Sequence, residues 1–233
     1  MTNELAILLG TAASLGFVHT LLGPDHYLPF VAMARIGRWS TTKTGLITFL
    51  CGIGHVLSSI VLGFVGIALG LAVTRLQAFE SARGEIAAWM LIAFGLTYTV
   101  WGVHRAIRGK PHEHAHIHED DAHSHDHSHV GDHTHVHSVE KMTPWILFTI
   151  FVFGPCEVLI PLVMYTAARH PIVWVATVSG VFGIATVSTM LAVVLVSSLG
   201  LARLHMGRLE RYSPAVAGLV ILLCGSAIKF LGL

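Results

Sequence analysis

Long apolar runs with almost no interior charge recur six times along the chain. A bilayer core of about 30 Å needs roughly 20 apolar residues in a helix. Runs of that order extend from Leu5 to about Ala34, Thr44 to Val73, about Ile86 to Val103, Pro144 to Ala168, Ile172 to about Leu201 and Pro214 to Leu233. A water-soluble helical core does not need six such stretches in 233 residues, so the pattern predicts an all-α polytopic membrane protein. The opening MTNELAILLG lacks the basic n-region and small-residue cleavage site of a signal peptide and is expected to stay in the first helix.

The two halves resemble each other at a shift of 131 residues. Gly23 and Pro24 fall on Gly154 and Pro155, Leu28 on Leu159, Met33 on Met164 and Gly52 on Gly183. Proline lacks a backbone donor and clashes with the preceding turn, so helices 1 and 4 are expected to break at their Gly-Pro steps. Three crossings per half put the second half upside down in the membrane, a 3+3 inverted repeat of the kind whose sites sit where helices are broken. The predicted organisation is a first three-helix repeat over 1–107, a loop over 108–143 and a second repeat over 144–233. Lys and Arg set the orientation. One side holds Arg75, Arg83, Arg169 and Lys229; the other holds Arg35, Arg38, Lys43, Arg105, Arg108, Lys110, Lys141, Arg203, Arg208 and Arg211. Ten against four predicts a plasma (inner) membrane protein with both termini outside and the long loop cytoplasmic.

Composition adds one anomaly. The chain is 54% hydrophobic and 12% charged, with a mean hydropathy of +0.70 and a formal charge of +1. A nearly neutral chain has no basic footprint for nucleic acid. Cys51, Cys156 and Cys224 are far apart and form no CxxC motif or disulfide framework. Yet there are 17 histidines, and 11 lie between His112 and His137.

Outside Pro111–Lys141 the carboxylates are Glu4, Asp25, Glu80, Glu85, Glu157 and Glu210. Glu4, Glu80, Glu85 and Glu210 are assigned to helix ends or loops. Asp25 and Glu157 directly follow the two Gly-Pro steps, inside apolar runs, where a carboxylate is costly and marks a functional site. A half-helix restarting at Pro24 is expected to carry Asp25 and His26 in its first turn, where the dipole favours carboxylate and neutral imidazole, the states a divalent cation requires of its ligands. His19 lies seven residues earlier, on the same face of a continuous helix. His55, in Gly52-Ile53-Gly54-His55, is the one ionisable residue of the second run, and its glycines permit close helix approach. At the shift of 131, His55 faces Thr186, His26 faces Glu157 and Asp25 faces Cys156, so Cys156 and Thr186 are accessory candidates. Taken singly, each histidine is also explained by packing, as is Cys156. Together, His19, Asp25, His26, His55 and Glu157 suit nickel, cobalt or zinc better than an all-oxygen set would. No Lys or Arg is placed deep in any run.

The loop alternates histidine with small or acidic residues. His112, His114, His116, His118, His123, His125, His127, His129, His133, His135 and His137 form a tract with little to bury, predicted to be disordered and to capture first-row divalent metals. A solvated linker and a polycation charging below about pH 6.5 are the other readings.

From HTLLGPDHYLPF, residues 19–30, the chain resembles the nickel/cobalt transporter superfamily, above all its six-helix branch of nickel/cobalt efflux proteins and urease-accessory UreH-like membrane proteins. His19, Asp25 and His26 match its first motif, His55 a further histidine, and GPCEVLIP, residues 154–161, the second-half motif of the UreH-like group. Five residues separate His19 from Asp25, where that motif has four. The resemblance implies nickel/cobalt transport, with a histidine-rich cytoplasmic loop as in the efflux branch. Related thiol-electron carriers of the cytochrome-maturation and DsbD type have similar proline breaks with a cysteine in each half. Here Asp25 stands opposite Cys156, so the dithiol pair is missing.

The sequence therefore predicts a carrier, not an enzyme, with nickel or cobalt as substrate, no permanently bound cofactor and the lipid bilayer as its medium. No GxxxxGK[ST] loop for ATP is present. A cytosolic metal collector favours efflux. Nickel uptake or delivery for urease or hydrogenase, a membrane-anchored metal sensor or store, and a sulfur-containing anion exporter are the alternatives. Nothing in the sequence supports a homo-oligomer or a metallochaperone contact.

Overall fold

A computed structural model describes residues 2–108, 114–118, 121–125, 137–202 and 207–231. Its helices are α1 (Thr2–Leu22), α2 (Leu28–Ile36), α3 (Thr41–Ala68), α4 (Val73–Arg108), α5 (His137–Phe153), α6 (Leu159–Arg169), α7 (Ile172–Ala202) and α8 (Ser213–Leu231), with 3-10 turns at Pro24–His26 and Gly207–Tyr212. Among the described residues, five helical stretches are long and apolar enough to cross a membrane: Asn3–Leu22, Thr41–Ala68, Val73–Arg108, Ile172–Leu201 and Glu210–Leu231. Two shorter apolar helices, Thr143–Phe153 and Leu159–Arg169, accompany them. Helices satisfy their own backbone groups, as lipid demands, and large apolar side chains such as Leu22, Trp145 and Val196 stay exposed on the outside. The chain is a multi-pass membrane protein.

Both Gly-Pro steps interrupt helices. α1 ends with Gly23 N–H donating to His19 O at 3.0 Å, and α2 begins only at Leu28. α5 ends at Phe153 and α6 starts at Leu159, whose N–H donates to Cys156 O at 2.9 Å. The break after α1 differs from the expectation in one respect. Asp25 and His26 belong to an isolated 3-10 turn, not to the first turn of a restarted α-helix. They precede the first turn of α2 and do not form it.

Small residues bring the long helices together, as in membranes where apolar side chains gain little from leaving lipid. α3 and α7 run antiparallel: a Cβ on Gly52 would lie 3.3 Å from Val187, and one on Gly183 would lie 3.0 Å from Val56. α4 and α8 are also antiparallel, and a Cβ on Gly95, Gly102 or Gly218 would strike the partner's backbone at Leu222, Ala215 or Thr99. α1 lies on α7, and α5 lies on α3. Apolar side chains gather in two groups, one around Phe30, Met33, Phe151 and Met190, the other around Cys156, Leu159, Val163 and Phe182.

One expectation changes. The third helix starts at Val73, not near Ile86, so the charged stretch around Glu80 and Arg83 is helical. Within the histidine block the described residues are β1 (His114–His118) and β2 (Asp121–His125), which pair antiparallel. In that register His114 stands opposite His125, His116 opposite His123 and His118 opposite Asp121. Alternation with period two is a strand pattern as well as a low-complexity one. His112, His127, His129, His133 and His135 lie outside the described residues, while His137 opens α5.

Candidate metal centre

The break after α1 aims two histidines at one point. His19 sits in the last turn of α1, and His26 closes the 3-10 turn that follows. Their ring centroids are 4.8 Å apart, edge to face. The helix break at Gly23-Pro24 and the 3-10 turn after it make this contact, not two turns of continuous helix. His55 comes from the middle of α3, its ring 5.0 Å from that of His26 and perpendicular to it. α3 reaches the spot because Gly54 lets it close on α5: a Cβ there would lie 2.9 Å from Val152 and 3.0 Å from Phe148.

One ring nitrogen from each of His19, His26 and His55 lies within 4.8 Å of the others. The tautomers follow from their neighbours. His26 Nδ1 is 3.1 Å from Asp25 Oδ1 and 3.2 Å from Gly23 O, both acceptors. His55 Nδ1 is 3.2 Å from Phe151 O, again an acceptor. Each Nδ1 therefore carries the proton in the neutral ring and donates it, leaving Nε2 with a lone pair. Nε2 of all three histidines is buried without a hydrogen-bond partner. An unmade hydrogen bond at a buried polar atom costs about 1–3 kcal/mol, so three at one point call for a ligand. A cation accepting the lone pairs of His26 and His55, with His19 in the same tautomer as the third donor, answers that need. Three nitrogens no more than 4.8 Å apart lie at most about 2.8 Å from their common centre, so an inward move of at most about 0.7 Å each reaches a metal–nitrogen bond of roughly 2.1 Å.

The remaining candidates divide. Asp25 is outside the three-nitrogen group; its carboxylate holds His26 Nδ1–H, the place of an orienting carboxylate behind a histidine ligand. Glu157 is also outside the group, but it lines the same cavity of about 670 Å³ as His19, Asp25, His26 and His55. Cys156 is buried among apolar neighbours, its N–H donating to Glu80 Oε2 at 3.0 Å. Thr186 packs near Gly16 of α1, on the α7 side. The cavity wall further carries an ion pair in which Lys229 Nζ lies 2.5 and 2.6 Å from the two oxygens of Glu85.

Sequence reasoning missed Glu80 and Arg83. Glu80, assigned above to a helix end or loop, is fully buried inside α4. Arg83 Nη1 donates to Glu80 Oε1 at 2.6 Å. Its Nη2 donates to Ser58 Oγ at 2.6 Å and to Val152 O at 2.7 Å. A fixed cation thus does lie within the helical bundle, contrary to the expectation, but Glu80 neutralises it and it does not line the cavity. The available signal was the i,i+3 acid–base spacing beside Gly84, hidden because charge density made the stretch read as a loop. Removing Arg83 from the loop tally leaves ten basic residues against three.

A family model described as "Cytochrome C biogenesis protein transmembrane region" matches residues 28–227, beginning two residues after His26. No curated protein and no solved structure matches the chain.

Proposed function

The chain belongs to the cytochrome C biogenesis protein transmembrane region family, and from that premise and the three-histidine cluster we propose that it carries a divalent transition-metal cation, nickel or cobalt, across the membrane. The single observation that carries the reading is the convergence of His19, His26 and His55, each with a buried, unpartnered Nε2, on a cavity inside a bundle of membrane helices. Imidazole donors suit nickel, cobalt and zinc, whereas magnesium and calcium take oxygen. Three protein ligands leave coordination positions open on the cavity side, where Glu157 and Asp25 supply negative charge to a passing cation. Asp25 acts through His26, fixing its tautomer and ring orientation.

Membership of this family does not make thiol exchange the better reading. Cys51 and Cys156 belong to different apolar groups, and all three cysteines are free. Metal chemistry at the histidines remains the reading that the side chains favour.

The reading includes six crossings, counting each broken helix once, arranged as a 3+3 inverted repeat with His19, His26 and His55 in the first half. Its support is reciprocal. The contact of Gly52 with Val187 and that of Gly183 with Val56 exchange under the shift of 131, and the helices they join, α3 and α7, run antiparallel. The basic residues put the histidine tract on the cytoplasmic side, where a metal collector serves export.

Cells expressing the protein should accumulate less nickel and cobalt than control cells, measured by elemental analysis, and the difference should vanish with His26→Ala. Higher accumulation would turn the direction to uptake. Unchanged metal content with well-expressed protein would sink the transport reading.

A further inference from the structure

The second break frees backbone groups that something must satisfy. Pro155 has no N–H, and the last carbonyls of α5 lose their helical donors. The Glu80–Arg83 pair takes them up from both sides of the proline. Arg83 Nη2 donates to Val152 O at 2.7 Å and to Gly154 O at 3.4 Å on the α5 side. On the α6 side, Glu80 Oε2 accepts from Cys156 N–H at 3.0 Å. α4 presses on the break at the next residue, since a Cβ on Gly84 would lie 2.8 Å from Pro155 Cγ.

The same guanidinium also reaches α3, which carries His55. Arg83 Nη2 donates to Ser58 Oγ at 2.6 Å, and Ser58 Oγ donates to His55 O at 2.8 Å. His55 is therefore held at two points. Its backbone carbonyl is tied through Ser58 to Arg83, and its ring Nδ1–H is tied to Phe151 O, one residue before the Val152 carbonyl that Arg83 grips. Both anchors lead back to one planar, multi-donor group, a task that the single ammonium of lysine performs poorly.

We propose that Arg83, paired with Glu80, is a positioning residue for the metal centre: it aims His55 Nε2 by holding α3 and the α5–α6 break in one register. This rests on the reading that His19, His26 and His55 bind metal. Outer partners of ligating histidines typically contribute 10–100-fold to metal affinity, and Arg83 acts one step further out, through Ser58 and the α5 carbonyls.

The test is titration of the detergent-purified full chain with cobalt(II) chloride, read by its visible ligand-field absorption, with thermal unfolding in parallel. The variants are Ser58→Ala, which cuts one anchor without touching a charge, Arg83→Lys, and the double change Glu80→Gln with Arg83→Gln, which leaves no unpaired buried charge. Wild-type protein should give a cobalt band that His26→Ala abolishes. Each test variant should bind at least tenfold more weakly with a shifted band, and Ser58→Ala should do so at an unchanged melting temperature. No cobalt band in the wild type overturns the metal centre itself. A wild-type band retained in Ser58→Ala and in the double variant, at the same position and within twofold in affinity, overturns the positioning role alone, whether or not Arg83→Lys folds.

Discussion

Gly23→Ala separates the metal centre from the fold. Gly23 has φ −88° and ψ 95°, a backbone shape alanine adopts freely. The conflict is therefore confined to the space a Cβ would occupy. That atom would lie 2.5 Å from His26 Nδ1, 2.9 Å from His26 Cε1 and 2.9 Å from Asp25 Oδ1. Carbon contacts settle near 3.5 Å, so the His26 ring must retreat by about 1 Å. That exceeds the inward move, at most about 0.7 Å, that brings the three nitrogens to bonding distance from a common metal. The retreat also draws Nδ1 away from its two acceptors, Asp25 and Gly23 O, which fix the tautomer. A ligand misaimed in this way should weaken cobalt binding about 100-fold, equivalent to about 2.8 kcal/mol at 1.4 kcal/mol per factor of ten. Cobalt titration and thermal unfolding of the purified variant check affinity and fold separately. Gly180→Ala, where an added Cβ meets nothing within 4 Å, is the control and should bind as wild type does. Wild-type cobalt affinity in Gly23→Ala would refute the geometry, and a collapse in melting temperature would assign Gly23 to the fold.

Asp25→Asn keeps a hydrogen-bonding side chain beside His26 but loses the charge, so cobalt affinity should fall by about tenfold, short of the abolition expected for His55→Ala; equal losses by equilibrium titration would make Asp25 a ligand. Glu157→Gln should leave cobalt affinity unchanged while slowing nickel flux in vesicles, because Glu157 lines the cavity without joining the nitrogen cluster; a loss of affinity would count against this placement. Acidification should weaken cobalt binding, since protons compete for the same Nε2 lone pairs, and binding independent of pH between 5 and 8 would argue against imidazole ligands. Deleting residues 112–137 should spare transport at saturating metal and impair it at low metal, whereas complete loss at both would favour an anchored sensor or store.

The apolar runs made the helices legible, because a span of roughly 20 apolar residues has few other uses. The Gly-Pro steps made the breaks legible for an equally local reason. His19, His26 and His55 were legible as polar residues in apolar runs, though not through the contact that joins them. A spacing of seven suggested a shared helix face for His19 and His26; in fact α1 ends between them, and the turn after Gly23 folds His26 back. The roles of Asp25 and His26 were not separable in sequence, since which atom faces Nε2 and which holds Nδ1 depends on the turn's path. Glu80 and Arg83 were hidden for the opposite reason. Charges three apart on a helix cancel each other when buried together, but a tally of charge along the chain counts them as exposed.

The two breaks are not used alike, and that asymmetry bears on how a carrier of this kind would work. On the metal reading the first carries candidate ligands itself: His19 precedes it, His26 follows it, and Gly23 O and Asp25 hold the His26 ring. The second contributes none of the three histidines: it holds His55 through Phe151 O, offers carbonyls and an N–H to Glu80 and Arg83, and carries Glu157 on the cavity wall. A metal bound to His26 and His55 would thus be tied to both breaks at once, one through a ligand's own turn and the other through a ligand's anchor. Movement at either break changes the distance between nitrogens that must close to roughly 2.1 Å around the metal. Movement at the second break has first to carry or release a buried ion pair, whose unpairing is costly. The α1–α2 break is held by the local His26–Asp25 contact and not by a pair reaching in from another helix, so on this reading metal release is expected to begin there.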